Sequence, residues 1–205
     1  GYDSEDELLE LDVTRDLYMD PEQRGNWTRT MQETGEVRNA ELVLKRKDGS
    51  KIVVLENSRA VTDADGRTLF YEGTLTDITA SHELSLQLSY EASHDALTGL
   101  SNRREFELRL QRALELSQAT GAEHAMLYLD LDRFKTVNDT SGHVAGDELL
   151  RQLGEVLQQR VRTNDVVARL GGDEFGVLLH NCKPEDAQQI AASLLRTVDE
   201  FEFVW

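Results

Sequence analysis

The feature that most constrains this 205-residue chain is a pair of apolar runs, 166–170 and 175–179, separated only by Gly171, Gly172, Asp173 and Glu174. Short runs of valine, leucine and phenylalanine favour strands, and two adjacent glycines permit the reversal that joins them as an antiparallel hairpin. Asn-Gly or Asp-Gly would suffice for such a turn. Paired acids ahead of an apolar strand are therefore surplus to the fold, and the glycines keep side chains clear of whatever approaches.

Another apolar strand is expected over 125–131, and it runs out of apolar residues at Asp130-Leu131-Asp132. Strand alternation puts both aspartates on one face, and carboxylates at a strand end suit a hard cation. Around these strands the spacing predicts three amphipathic helices. One face carries Phe106, Leu110, Ala113 and Leu114, a second Leu149, Leu153, Val156 and Leu157, and a third Ala187, Ile190, Ala191, Leu194 and Val198. Pro184 with Glu185 and Asp186 marks the start of the last. Helices packed on one antiparallel sheet give an α+β domain.

The earlier part of the chain is patterned differently. Residues 37–76 read as three strands broken at Asp48-Gly49 and Asp65-Gly66, dipeptides that supply the positive φ of a tight hairpin. Residues 4–11 and 21–34 read as short helices, the second closed by Gly35. Residues 80–94 suit a connecting helix with Thr79 as N-cap and Leu84 and Leu88 one turn apart. It is read first as a linker and second as the seam of a dimer.

Charge narrows the partners. With 22 basic against 39 acidic residues the net charge is −17, which repels phosphate backbones, so nucleic acid is not expected as a partner. A phosphorylated small molecule is compatible when divalent cations intervene, because a bound ion reverses the local field. The single cysteine, Cys182, offers neither an internal disulfide nor a zinc site and fits a reducing compartment. The sequence has no apolar run of about 18 residues and no basic, apolar leader, so a cytoplasmic location is expected, with any membrane attachment left to other parts of a parent protein. The opening Gly1 in place of methionine points to a piece of a longer chain.

Two common nucleotide signatures are absent: a glycine-rich loop ending in Gly-Lys-Ser/Thr and a dinucleotide fingerprint. An EF-hand starting at Asp130 fails because its fifth and sixth places fall on Phe134 and Lys135. If the hairpin lies beside the 125–131 strand, Asp130 and Asp173 converge on magnesium. That ion typically takes one or two carboxylates and completes its shell with phosphate oxygens and water.

The run Arg169-Leu170-Gly171-Gly172-Asp173-Glu174-Phe175 resembles the signature of the GGDEF diguanylate cyclases. Asp95-Ala96-Leu97-Thr98-Gly99-Leu100-Ser101-Asn102-Arg103 is similar to the motif that opens the family's domain, and residues 130–147 are similar to its metal- and guanine-binding stretch. Lys45-Arg46-Lys47-Asp48-Gly49-Ser50, the Asp65-Gly66 turn and Asp77-Ile78-Thr79 resemble the C-terminal half of a PAS domain. The implied organisation is α+β throughout: the C-terminal part of a PAS antiparallel sheet at 1–79, a signalling helix at 80–94, and at 95–205 a GGDEF domain of the ferredoxin-like, cyclase-palm type. The family's last strand and helix, with basic residues that also approach the phosphates, are expected beyond Trp205, so activity is expected of the parent.

The resemblance also implies roles. Asp130 and Asp173, with the carbonyl of Leu131, would bind Mg2+, with Mn2+ as a substitute. Glu174 would assist deprotonation of the attacking 3′-hydroxyl, a role the family leaves open between it and Asp173. Lys135 and the amides around Phe134 would meet the phosphates, and Gly171 and Gly172 would also belong to the substrate-binding set. Asn138 and Asp147 would read guanine, since a carboxylate accepts from N1–H and the exocyclic amine together. His143 would be a substrate neighbour or, slightly favoured, a structural residue. Arg162-Thr163-Asn164-Asp165 resembles the family's inhibitory product site. The expected reaction joins two GTP into cyclic di-GMP and two pyrophosphates in a homodimer formed through PAS, linker and GGDEF parts. Its PAS ligand is not legible. The alternative is a GTP-binding domain that regulates an attached cyclic di-GMP phosphodiesterase.

Overall fold

The computed structural model describes residue 2 and residues 4–205 and divides into two units, Gly1–Gln87 and Leu88–Trp205. In the first, the expected helix over 4–11 is a short α1 (Glu5–Leu9), followed by a π-helical turn at Val13–Leu17. The carboxylate of Asp12 starts that turn by accepting from the amides of Thr14 and Arg15. Helix α2 (Pro21–Thr34) has the expected ends, with Asp20 accepting from Glu22 N, Pro21 in the first turn and Gly35 at φ 74°. Its Trp27 and Met31, one turn apart, pack with Val37.

Strands β1 (Glu36–Lys45), β2 (Lys51–Thr62) and β3 (Thr68–Asp77) form the expected antiparallel meander. The connections differ from tight hairpins. Each spans five residues, 46–50 and 63–67, and only Gly49 and Gly66 take positive φ. Asp48 and Asp63 close them, accepting from the amides of Ser50 and of Asp65 and Arg67. All ten residues of β3 are exposed, including Leu69, Phe70, Tyr71 and Leu75.

Helix α3 (Thr79–Ser93) follows, and no described side chain on it is buried. Thr79 does not act as its N-cap. The Thr79 hydroxyl instead accepts from Val53 N on β2, and Asp77 accepts from the Thr79 amide and hydroxyl.

The second unit is a four-stranded sheet in the order β4 (Ser101–Asn102), β6 (Val166–Gly171), β7 (Glu174–Leu179), β5 (Ala125–Asp130). The sheet is mixed, because the short β4 runs parallel to β6 while the other pairs are antiparallel. Helix α4 (Arg103–Thr120) covers one face with Phe106, Leu110 and Ala113 against Ala168, Leu170 and Leu178; Leu114 lies outside this contact. Helices α6 (His143–Gln159) and α7 (Pro184–Asp199) cover the other face, where Leu150, Leu153, Leu157 and Leu194 meet Val167, Phe175, Val177 and Leu179. Leu150 is fully buried where the sequence pattern pointed to Leu149. Between β5 and α6 stands α5 (Phe134–Ser141), to which the sequence pattern assigned no element.

Candidate functional site

The antiparallel β5–β7 ladder sets Asp130 directly opposite Glu174. Opposed residues share a face, with Cβ atoms about 5 Å apart. Tyr128, two residues back on β5, faces the same way, while Leu127 and Leu129 point into the core. Asp173 sits in the turn beside this pair. The turn is built by Gly171 at φ 140° and Gly172 at φ 56°, and a bulge between Arg169 and Gly171 lets β6 depart from the ladder. A φ of 140° lies outside what a side-chain-bearing residue adopts without strain, so Gly171 is required by the backbone.

Several side chains hold the turn from below. Arg169 donates from Nε to Gly172 O at 2.9 Å and from its guanidinium to both oxygens of Asp95, at 3.2 and 3.4 Å. Asp95 also accepts from the amide and hydroxyl of Thr98. Burial works against ionisation of Asp95, but the Thr98 bonds and Arg169 together hold its carboxyl below the usual range. Asn102 donates to the carbonyls of Ala92 and His94 at the end of α3 and caps α4 by accepting from Glu105 N. Arg103 donates to Leu170 O at 2.7 Å and to Glu174 at 3.3 Å. The opening motif, expected to order the junction, thus reaches both the helix before it and the acidic turn.

Tyr128 is the residue sequence reading missed. Its hydroxyl is raised above the ordinary tyrosine value, chiefly by the Glu174 carboxylate on the same face. Strand alternation from Asp130 would have placed it on the acidic face.

Past β5 the chain turns through Leu131, whose carbonyl accepts from Phe134 N. Arg133 takes a left-handed conformation at φ 62° and starts α5 without a side-chain cap. Lys135 is exposed in the first turn of α5. Gly142, at φ 85°, breaks α5 from α6 and its amide donates to Asn138 O. His143 and Asp147 are exposed at the start of α6, whereas the half-buried Asn138 lies against Gly146 of that helix. The two residues expected to read guanine therefore belong to one helix pair.

Arg162 and Asp165 also come together, but through backbone. Asp165 N donates to Arg162 O, and the Asp165 carboxylate accepts from Arg162 N at 3.1 Å and His180 N at 3.0 Å. Asp165 is buried and Arg162 exposed.

Among the described residues no three His, Cys, Asp or Glu side chains form a metal cluster. One or two carboxylates suffice for magnesium that arrives with phosphate oxygens and water, so Asp130 and the turn acids fit that ion. In the first unit, a cavity of about 240 Å³ lies among Tyr18, Arg24, Trp27, Glu56 and Tyr71. Glu56 is buried there and accepts from the Trp27 indole at 2.6 Å.

Comparison with known proteins gives two family matches: a diguanylate cyclase GGDEF domain over residues 92–205 and a PAS domain over residues 1–80. The probable diguanylate cyclase DgcE of Escherichia coli K12 is 42% identical over 165 residues, 80% of this chain but only 15% of that protein. Among solved structures, the Pseudomonas aeruginosa diguanylate cyclase SiaD, crystallised with its activator SiaC, matches with a TM-score of 0.55 at 34% identity, over 62% of this chain and 48% of that one. The coiled coil and GGDEF domain of Caulobacter crescentus DgcB, in complex with c-di-GMP, matches with a TM-score of 0.55 at 28% identity, over 57% and 61%.

Proposed function

The chain belongs to the GGDEF diguanylate cyclase family, and on that premise we propose that it is the sensor-and-catalysis portion of an enzyme that condenses two GTP into cyclic di-GMP and two pyrophosphates. The observation that carries this reading is the β5–β7 register, which sets Asp130 opposite Glu174 beside the glycine turn that bears Asp173.

In this reading Asp130, Asp173 and the Leu131 carbonyl hold Mg2+, or Mn2+, together with the nucleotide's phosphates. When bound, the ion stabilises charge on the attacking and departing oxygens. Glu174, with Asp173 beside it, accepts the proton of the 3′-hydroxyl, and Arg103 fixes where its oxygens lie. Lys135 and the first-turn amides of α5 face the triphosphate, where a helix N-terminus and a cation favour negative charge. Gly171 and Gly172 let phosphate approach the backbone. Asn138 and Asp147 read the guanine edge, and His143 supports that end of α6.

One such unit offers one nucleotide site, so the two attacks need two copies facing one another. The exposed Leu84 and Leu88 of α3 supply a seam for a homodimer, and the PAS portion controls the approach of the two sites through that helix. Arg162 presents its guanidinium to a guanine of the product, able to donate to O6 and N7, while Asp165 shapes the loop that carries it. No described helix is long and apolar enough to cross a membrane, and a GTP-consuming site belongs on the cytoplasmic side.

The test is product analysis by mass spectrometry after the full-length protein is incubated with GTP and magnesium. Cyclic di-GMP from the wild type and none from Asp173→Ala is the expected result. GTP binding without product would assign the domain instead to regulation of an attached phosphodiesterase.

A further inference from the structure

Gly146 is the fourth residue of α6, inside the helix, where glycine is less favourable than alanine. Its φ is not positive, so the backbone does not ask for glycine. Space does. A Cβ on residue 146 would fall onto the Oδ1 of Asn138, 3.0 Å from Asn138 Cγ and 3.2 Å from Phe134 Cζ. Tight glycines elsewhere in this unit meet apolar carbon: Gly154 faces Leu100 Cδ1 at 3.1 Å and Gly176 faces Phe106 Cζ at 2.9 Å. Those are packing positions, whereas the space at Gly146 is taken by the working end of a polar side chain.

We infer that Gly146 is a specificity-determining positioning residue, whose missing side chain lets the Asn138 carboxamide lie on α6 next to Asp147 so that both address one base. The inference rests on the reading of Asn138 and Asp147 as the guanine contacts. A methyl group at residue 146 would expel chiefly the mobile end of Asn138, a side-chain rotation that leaves both helices in place. The helix itself would gain from the exchange of glycine for alanine. A site built to hydrogen-bond a base loses discrimination when one of its partners is turned away.

The experiment is steady-state kinetics of the full-length protein with GTP and with inosine triphosphate, which lacks the exocyclic amine. It compares wild type, Gly146→Ala, Asn138→Ala and the double variant, with thermal melting alongside. Gly146→Ala is expected to raise the KM for GTP about tenfold, as the loss of a well-made hydrogen bond does, with kcat within about twofold. Its preference for GTP over inosine triphosphate should narrow, its Tm should be unchanged or higher, and the double variant should be no worse than Asn138→Ala. A wild-type KM in Gly146→Ala beside a weakened Asn138→Ala overturns the inference and leaves the guanine reading standing. Additive losses in the double variant, or a lowered Tm in Gly146→Ala, likewise overturn it by showing a packing role. Wild-type behaviour of Asn138→Ala removes the guanine reading itself, and the inference with it.

Discussion

Glu174 is held at the head of β7 by Arg103 of α4, while Tyr128 of β5 stands on the same face of the sheet. A carboxylate opposite Asp130 would otherwise be repelled from it, and the Arg103 guanidinium offsets that repulsion. Replacing Arg103 with methionine keeps most of the length of the side chain, removes its bond to Glu174 and frees that carboxylate to rotate. The change is expected to lower kcat by about ten- to hundredfold with a smaller change in the KM for GTP, because a catalytic group displaced by about 1 Å costs that much. Equal loss in KM and kcat would show a general disruption of the turn. Asp165 poses the opposite case. It resembles a ligand contact in sequence, yet its oxygens serve the amides of Arg162 and His180 in a buried loop. Asp165→Ala leaves both amides unsatisfied and should cost about 3 kcal/mol, a fall in Tm of roughly 10 °C, whereas Arg162→Ala should not alter Tm. Spacing alone cannot separate these roles, because a carboxylate that binds an amide and one that binds a base are the same residue type at the same offset.

The β5–β7 ladder carries the acidic pair at one end and two histidines at the other. His124 precedes β5 and His180 follows β7, with rings 5.3 Å apart in a T-shaped contact. Asn181 N donates to His124 Nδ1, leaving His124 Nε2 buried without a partner. Burial first, and His124 second, push His180 below its ordinary value, with Asp165 opposing them and Arg109 adding to them. A histidine depressed in the folded state binds its proton more readily when unfolded, so stability is complete above about pH 6.5 and declines as pH falls through that value. Melting at pH 7.5 and pH 5.5 should show this loss, and His180→Asn should flatten it; an unchanged pH slope in that variant would remove His180 as its source. The strands themselves were legible, because the apolar run of β5 and the glycine turn before β7 are strong local patterns, whereas their pairing in one ladder stood only as a condition that the register now meets. Helix α5 was not. It begins at a left-handed Arg133 without a capping side chain, so neither start signal nor long apolar stripe announces it. Leu149 and Leu150 are adjacent leucines between which spacing alone chose wrongly, and β3 shows the limit of propensity: its apolar residues form a strand but are left uncovered.

At the scale of the molecule, each of the two units has its own core, and the division between them falls within α3, between Gln87 and Leu88, rather than at the change of sequence pattern near residue 80. Which elements neighbour one another was less legible. The mixed order β4-β6-β7-β5 depends on contacts between residues far apart in the chain, such as Asn102 with Arg169, that no local period records. The division matters because one unit holds one candidate nucleotide site, while the proposed product contains two nucleotides. Leu84, Leu86, Leu88 and Tyr90 are all more than half exposed on α3, so apolar surface is available for pairing. Against it stands the net charge of −17 on each copy, a long-range repulsion that salt screens. Activity per protomer of the full-length protein should therefore rise with protein concentration before reaching a plateau, and the rise should come at lower concentration when ionic strength is raised. A tenfold excess of Asp173→Ala protein, at saturating GTP, should suppress the wild type by drawing it into pairs with only one complete site, an expected loss of about tenfold. A monomeric enzyme would be indifferent both to its own concentration and to the added variant. Flat specific activity in the dilution series would therefore separate the nucleotide site, which could stand, from the pairing that is proposed to make it productive.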